Sequence, residues 1–234
     1  MLNISIHKSL KVFSVLIILC CSKYSFSQTI NDAGLWTTAT IEKEFNKASI
    51  FLTEEFRLRE NLTQINLFYT DIGVSYKVIK PLKISLSYRS IEKYQPDQTF
   101  NSRHRLMLDV TWRSRLGSWT IAYRQRLQSE LRNINRSPSG TVPEWYARSK
   151  FQVKYDLNKP VTPYIGTELR YQIKDSRNKE SDGLWHRVRY FAGLDYKLND
   201  THALGVYYLI QHEFNVVTPQ NLYIVGLEYT LSLF

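Results

Sequence analysis

From Leu35 to its last residue the chain alternates apolar with polar positions over segments of 12 to 15 residues, and helical spacing is almost absent. In segment 102–114 one parity reads Leu106, Leu108, Val110 and Trp112, and the other reads Arg103, Arg105, Asp109, Thr111 and Arg113. A strand sends successive side chains to opposite faces, so this segment has one greasy face and one charged face. The same split recurs with Trp119, Ile121, Tyr123 and Leu127, with Val188, Tyr190 and Leu194, and with Tyr223, Val225 and Leu227. Eleven segments carry the pattern: 34–45, 49–60, 65–78, 82–94, 102–114, 118–131, 144–156, 161–173, 184–198, 202–214 and 221–234. Soluble strands average about 5–6 residues, whereas tilted membrane strands need about 9–11, so the length favours crossing a bilayer.

The connections add a second rhythm. Short turns fall at 79–81, 115–117, 157–160 and 199–201, and longer polar stretches at 95–101, 132–143, 174–183 and 215–220. Tight periplasmic turns alternating with longer external loops are the habit of outer-membrane barrels. Tyr76, Trp112, Trp119, Tyr155, Tyr196 and Tyr229 share the apolar parity near the short turns or the C-terminus. Tyr94, Trp145, Tyr171 and Trp185 lie near the long loops, with Tyr94 and Trp185 off that parity. Two aromatic belts flanking an apolar band suit the two membrane interfaces. A soluble sandwich or lipocalin-like barrel also alternates, but it turns its apolar face inward and leaves long strands and belts unexplained.

The expected fold is therefore all-β: a single antiparallel transmembrane β-barrel of about 10–12 strands. Twelve is favoured, because single-chain bacterial barrels normally have an even number and eleven segments leave one unmatched. Residues 28–33 are expected to add a short strand or to run through the lumen. Phe234 is an aromatic terminus of the kind assembly machinery reads, although it is one residue out of phase with Leu231 and Leu233.

The N-terminus assigns a compartment. Lys8 and Lys11 precede an apolar run from Val12 to Cys21, and Ser25-Phe26-Ser27 gives a small-x-small exit before Gln28. That combination reads as a cleavable secretory signal over 1–27, with the barrel occupying 28–234. The apolar run is shorter than the roughly 20 residues of a spanning helix. Both cysteines, Cys20 and Cys21, lie in the signal, so 28–234 offers no disulfide, thiol nucleophile or thiolate metal site. The signal also takes three of the 31 basic residues and none of the 21 acidic ones, which lowers the net charge from +10 to +7. For an exported chain this balance points to anionic headgroups or solutes rather than nucleic acid.

Several short motifs resemble one family. They are Leu35-Trp36, Glu54-Glu55-Phe56-Arg57, Gly73-Val74-Ser75-Tyr76-Lys77, Ser87-Tyr88-Arg89, Arg103-His104-Arg105-Leu106, Tyr123-Arg124-Gln125-Arg126-Leu127 and Pro163-Tyr164-Ile165-Gly166-Thr167-Glu168. In this order they look like the exported barrels of domain-of-unknown-function family 2490. The resemblance covers nearly all of 28–234 and implies a barrel. It brings no activity, so no functional residue carries over from it.

With the apolar parity facing lipid, the other parity lines the lumen. Its basic candidates are Arg89, Arg103, Arg105, Arg124, Arg126, Arg187 and Arg189, joined by Arg57, Arg59, Arg113, Arg148 and Arg170. Its acidic candidates are Glu55, Asp71, Asp109, Glu168 and Asp195, joined by Glu130, Glu213 and Glu228. Three readings follow. The charges form a narrow anion-favouring pore, since rings of Arg or Lys serve anion pores; or they neutralise one another in a closed structural or assembly barrel; or the barrel is a lipid-modifying enzyme. For the last, His104 and His186 have the lipid-facing parity near the external rim, and Ser102 is close by. The non-enzymatic readings are preferred, because a lone strand histidine is most often a hydrogen-bonded interfacial residue. No Gly-rich phosphate loop, zinc spacing or calcium loop occurs, so no cofactor or metal is expected. The expected partners are outer-membrane lipids, the barrel-assembly machinery during biogenesis, and small anionic solutes.

Overall fold

The computed structural model describes residues 30–95, 97–132, 141–175, 179, 182–216 and 218–234; the signal assigned to 1–27 lies outside them. Eleven strands are described: β1 (Ile30–Phe45), β2 (Ala48–Arg59), β3 (Gln64–Ile79), β4 (Leu82–Tyr94), β5 (Phe100–Leu116), β6 (Trp119–Arg132), β7 (Glu144–Tyr155), β8 (Val161–Lys174), β9 (Leu184–Lys197), β10 (His202–Glu213) and β11 (Gln220–Leu233). Each pairs with its sequence neighbours, and β1 pairs with β11 to close a barrel. Closure leaves no sheet edge among these strands, so the backbone hydrogen bonds of the wall are satisfied without water.

The count differs from the even twelve, and the closure differs from an all-antiparallel barrel. Each hairpin reverses the chain, so the first and eleventh strands run in the same direction and can only meet in parallel. They do so over fourteen residue pairs, from Ile30↔Gln220 to Lys43↔Leu233, without a bulge. Ile30–Ala33 is neither a separate strand nor a passage through the lumen; it forms the start of β1, paired along Gln220–Tyr223. The seam preserves facing. Gly34↔Ile224, Trp36↔Gly226 and Thr38↔Glu228 join inner positions, while Leu35↔Val225 and Ala39↔Tyr229 join outer ones. A one-residue slip would exchange the two faces, so the parity of both strands specifies this register. Asp32 also ties the seam's start to the β2–β3 turn, accepting the N–H groups of Glu60 and Asn61 at 3.0 Å each.

The two faces are unlike. Outward Ile72, Leu106 and Ile165 are 58%, 56% and 63% exposed, whereas inward Gln128 and Glu130 are each 1% exposed. Charge inside and grease outside is the reverse of a soluble barrel, and a predominantly apolar exterior, interrupted at Glu54, suits hydrocarbon. A small apolar cluster of Trp36, Leu209 and Ile224, backed by Phe191, Tyr207 and Leu222, sits against the inner wall beside the seam.

Two bulges change the facing near the long loops. The pairing slips between Trp145 and Tyr146 and again between Arg170 and Tyr171, where Tyr171 meets Trp185 and His186 is passed over. Trp185, off the apolar parity, is consequently turned outward and 45% exposed. His186, expected on the lipid face, is instead buried beside the Tyr146 ring, with centroids 6.0 Å apart.

Candidate functional site

The lumen is the only place where the chemistry-bearing side chains converge among the described residues. Three adjoining cavities run along it. One of 410 Å³ opens at the long-loop end beside Asp32, Arg59, Lys93 and Arg132. A central one of 390 Å³ follows, and one of 300 Å³ opens at the short-turn end beside Glu42, Lys83 and Arg113. The first two share Trp36, Arg57, Arg105, Arg170, Arg187 and Arg189 in their walls. The last two share Arg124, Lys150 and Gln152.

Hydrogen-bonded register decides which side chains stand next to one another. One inner row crosses the wall as Glu213↔Arg187, Arg187↔Arg170, Arg170↔Arg148, Arg148↔Arg126 and Arg126↔Asp109. Four arginines thus lie side by side on β9, β8, β7 and β6, with an acid at each end. Like charges directly opposite one another repel, so the row must be compensated. Arg187 donates to Glu213 at 2.5 Å, and Arg126 grips Asp109 with two bonds of 2.7 Å. Arg148 donates to Glu168 at 2.5 Å. Among the described residues Arg170 has no carboxylate partner; its guanidinium lies 3.7 Å from the centroid of the Tyr146 ring, and its Nε has no acceptor there.

Two carboxylates act as hubs. Glu168 receives Arg124 at 2.7 Å, Arg148 at 2.5 Å and Arg189 at 3.2 Å. Glu130 receives Arg103 at 3.3 Å, Arg105 at 2.5 Å and Arg132 at 2.9 Å, and Arg132 also reaches Glu144. With Glu144 on Arg132 and Asp109 at 3.9 Å from Arg124 included, three guanidiniums still face two carboxylates at each hub. Further single pairs join Arg57 with Glu55, Arg89 with Asp71 at 2.6 Å, Arg59 with Glu60 at 3.8 Å, and Lys154 with Asp195. Most of the lumen candidates are therefore engaged with neighbours on the inner wall, whereas among the described residues Arg113, Arg170 and Glu228 have no ion pair. Lys150 is held over the Phe191 ring at 4.6 Å without an ion pair.

Parity missed the aromatic side chains of the inner wall. A second row runs Lys154↔Tyr164, Tyr164↔Gly193, Gly193↔Tyr207, Tyr207↔Gly226, Gly226↔Trp36 and Trp36↔Arg57. Rings and glycines alternate along it for a steric reason. A Cβ on Gly226 would stand 1.9 Å from Tyr207, and one on Gly193 2.7 Å from Tyr164. The glycines let the rings lie down on the neighbouring strand instead of projecting across the lumen. Arg57 stacks 3.6 Å from the Trp36 centroid and Lys154 sits 5.2 Å from that of Tyr164. The signal in the sequence was the inner-parity placement of Gly193 and Gly226 opposite large rings, which is visible only once the strands are aligned.

The outer-rim chemistry does not assemble. Ser102 donates to Glu92 at 2.8 and 2.9 Å, while His104 Nδ1 bonds the Tyr88 hydroxyl at 2.6 Å, so serine and histidine are not hydrogen-bonded to one another. Among the described residues no three His, Cys, Asp or Glu side chains gather as a metal site.

Comparison with known proteins gives a family. No curated protein matches the chain. Two solved structures are similar at 12% identity. A NanC porin matches over 76% of this chain and 86% of its own, with a TM-score of 0.47. A bacterial polysaccharide outer membrane secretin matches over 76% and 62%, with a TM-score of 0.48. The family match is the extensive one: residues 33–230 fit the family described as protein of unknown function DUF2490, and the chain belongs to it.

Proposed function

We propose that the protein is an outer-membrane barrel, exported and inserted by the barrel-assembly machinery, whose lumen passes small anionic solutes. The observation that carries this reading is the row of four neighbouring arginines on the wall of the central cavity, one of which, Arg170, has no carboxylate. A barrel that only needed to fill its lumen with neutral pairs would match acids to bases. Here six arginines share the two hub carboxylates, with Glu144 and Asp109 at their margins, so guanidiniums outnumber carboxylates. A low-dielectric wall of one sign raises the local concentration of counter-ions and excludes co-ions.

The test is conductance of the refolded protein, residues 28–234, in a planar bilayer under a salt gradient. A reversal potential of the sign set by chloride supports the reading. Arg170→Gln should reduce the anion preference, because it removes a charge without breaking an ion pair. A folded barrel that stays silent, or that prefers cations, would overturn the pore reading and leave a closed structural barrel in its place.

A further inference from the structure

The arginine row and the ring–glycine row lie on the same part of the wall. Along β9 the inner positions read Asp195, Gly193, Phe191, Arg189 and Arg187 from the short turn upward. The aromatic row passes through Gly193 and the arginine row through Arg187, three inner positions further on. Phe191 and Arg189 fill the space between them. Both rows line one cavity of 390 Å³, within the roughly 300–1,000 Å³ range of small-molecule sites. Flat rings below and guanidiniums above make a surface that a bare inorganic anion would use only in part.

Tyr207 packs against the cluster of Trp36, Leu209 and Ile224, and Tyr164 lies edge-on to Phe191, yet both rings also form part of the cavity wall. Tyr164 and Tyr207 also need a glycine beneath each ring to lie flat. Both rings line the cavity, with Lys154 5.2 Å from the Tyr164 centroid, and offer apolar surface on which a ligand's apolar face can stack. Glu228, beside Gly226 on β11, lines the same cavity and has no hydrogen-bond or ion-pair partner among the described residues. An unpaired carboxylate repels a simple anion, but it is a strong acceptor for hydroxyl groups. Gln152 in the same wall adds both a donor and an acceptor.

We infer that the central cavity is a binding site for sugar acids, the carboxylate held by the arginine row, the ring stacked on Tyr164 and Tyr207, and the hydroxyls met by Glu228 and Gln152. Planar bidentate recognition of a carboxylate is what guanidinium does best. A stack of C–H groups on a ring face supplies the selectivity that charge alone lacks. The inference rests on the lumen's being the solute path, and it deepens that reading by naming what pauses there.

The experiment adds glucuronate, glucose, acetate or benzoate to the open channel in potassium chloride and reads the concentration that half-blocks the current. Isothermal titration of the refolded protein in detergent with the same four probes accompanies it. Glucuronate should act at about tenfold lower concentration than acetate or glucose, as the loss of either the ring or the charge removes roughly 1.4 kcal/mol. Tyr207→Leu should erase most of the difference between glucuronate and acetate, and Tyr164→Leu is the second variant if the first does not refold. Benzoate matching glucuronate would overturn the sugar assignment and indicate a site for any flat anion. An open, anion-selective channel with equal responses to glucuronate and acetate would overturn the inference while leaving the pore intact. A silent barrel that nonetheless binds glucuronate in titration would do the opposite, and one that is silent without binding would remove both.

Discussion

Glu168 is where the lumen's electrostatics are most exposed to test. Its carboxylate is 6% exposed and is shared by three arginines whose side chains are 12–23% exposed. Glu168→Gln keeps the shape and one accepting oxygen but removes the charge, leaving Arg148 and Arg189 without a carboxylate and Arg124 with Asp109 at 3.9 Å. Breaking a buried ion pair from one side costs about 3–5 kcal/mol. Arg124 is the most exposed of the three and the cavities on either side can admit water, so the lower end, about 3 kcal/mol, is the expectation here. The assay is urea unfolding of the refolded barrel in lipid vesicles, followed by tryptophan fluorescence and by the shift in gel mobility between folded and unfolded forms. The double variant Glu168→Gln/Arg148→Gln should recover at least about 1 kcal/mol, since it removes one of the stranded charges, and partners in one network are not additive. A loss below about 0.5 kcal/mol, the range of an ordinary surface change, or strict additivity in the cycle, would refute the idea that the carboxylate holds the guanidiniums in place.

Three further outcomes follow from the geometry. Gly226→Val should lift Tyr207 off the wall, because even a Cβ would meet it at 1.9 Å; a loss of about 1–3 kcal/mol is the usual overpacking cost, and single-channel conductance should fall as the ring enters the lumen. With no cysteine in 28–234, the seam can be tested cleanly. The Thr37→Cys/Leu227→Cys pair stands directly across β1 and β11 and should cross-link on oxidation, whereas Thr37→Cys/Leu204→Cys, one strand further, should not; the reverse result would exclude the parallel closure. In single-tryptophan variants refolded into vesicles of brominated lipid, Trp112, Trp119 and Trp185 should be quenched strongly and Trp36 weakly, since the first three are 45–52% exposed on the outer face and Trp36 is 6% exposed inside. Strong quenching of Trp36 would reverse the assignment of faces.

How far the sequence discloses this molecule depends on what kind of information each feature needs. Which face a residue occupies is local: parity within one segment is enough to place Leu106 outside and Arg105 inside, because a strand's period is two. Parity fails only where the backbone departs from that period, and His186 and Trp185 exchange faces at a single bulge for this reason. Even the strand total was legible as eleven segments; the preference for an even number came from habit in other barrels. Nothing in hairpin geometry forbids an odd count, which simply obliges the ends of the chain to pair in parallel.

Register is different, because it is a relation between segments that a single strand does not contain. Arg126, Arg148, Arg170 and Arg187 belong to four strands and are separated by loops of unequal length, so nothing in their spacing announces that they stand in one row. The same holds for Tyr164, Tyr207 and Trp36, at opposite ends of the chain and yet joined through Gly193 and Gly226. What fixes those rows is the sum of many weak preferences: short turns that set each hairpin, the refusal of each apolar face to slip inward, and glycines positioned where rings must lie flat. The candidate site is therefore less readable than the fold. Its residues are named by parity, but its chemistry belongs to neighbours, and neighbours exist only after the barrel has closed.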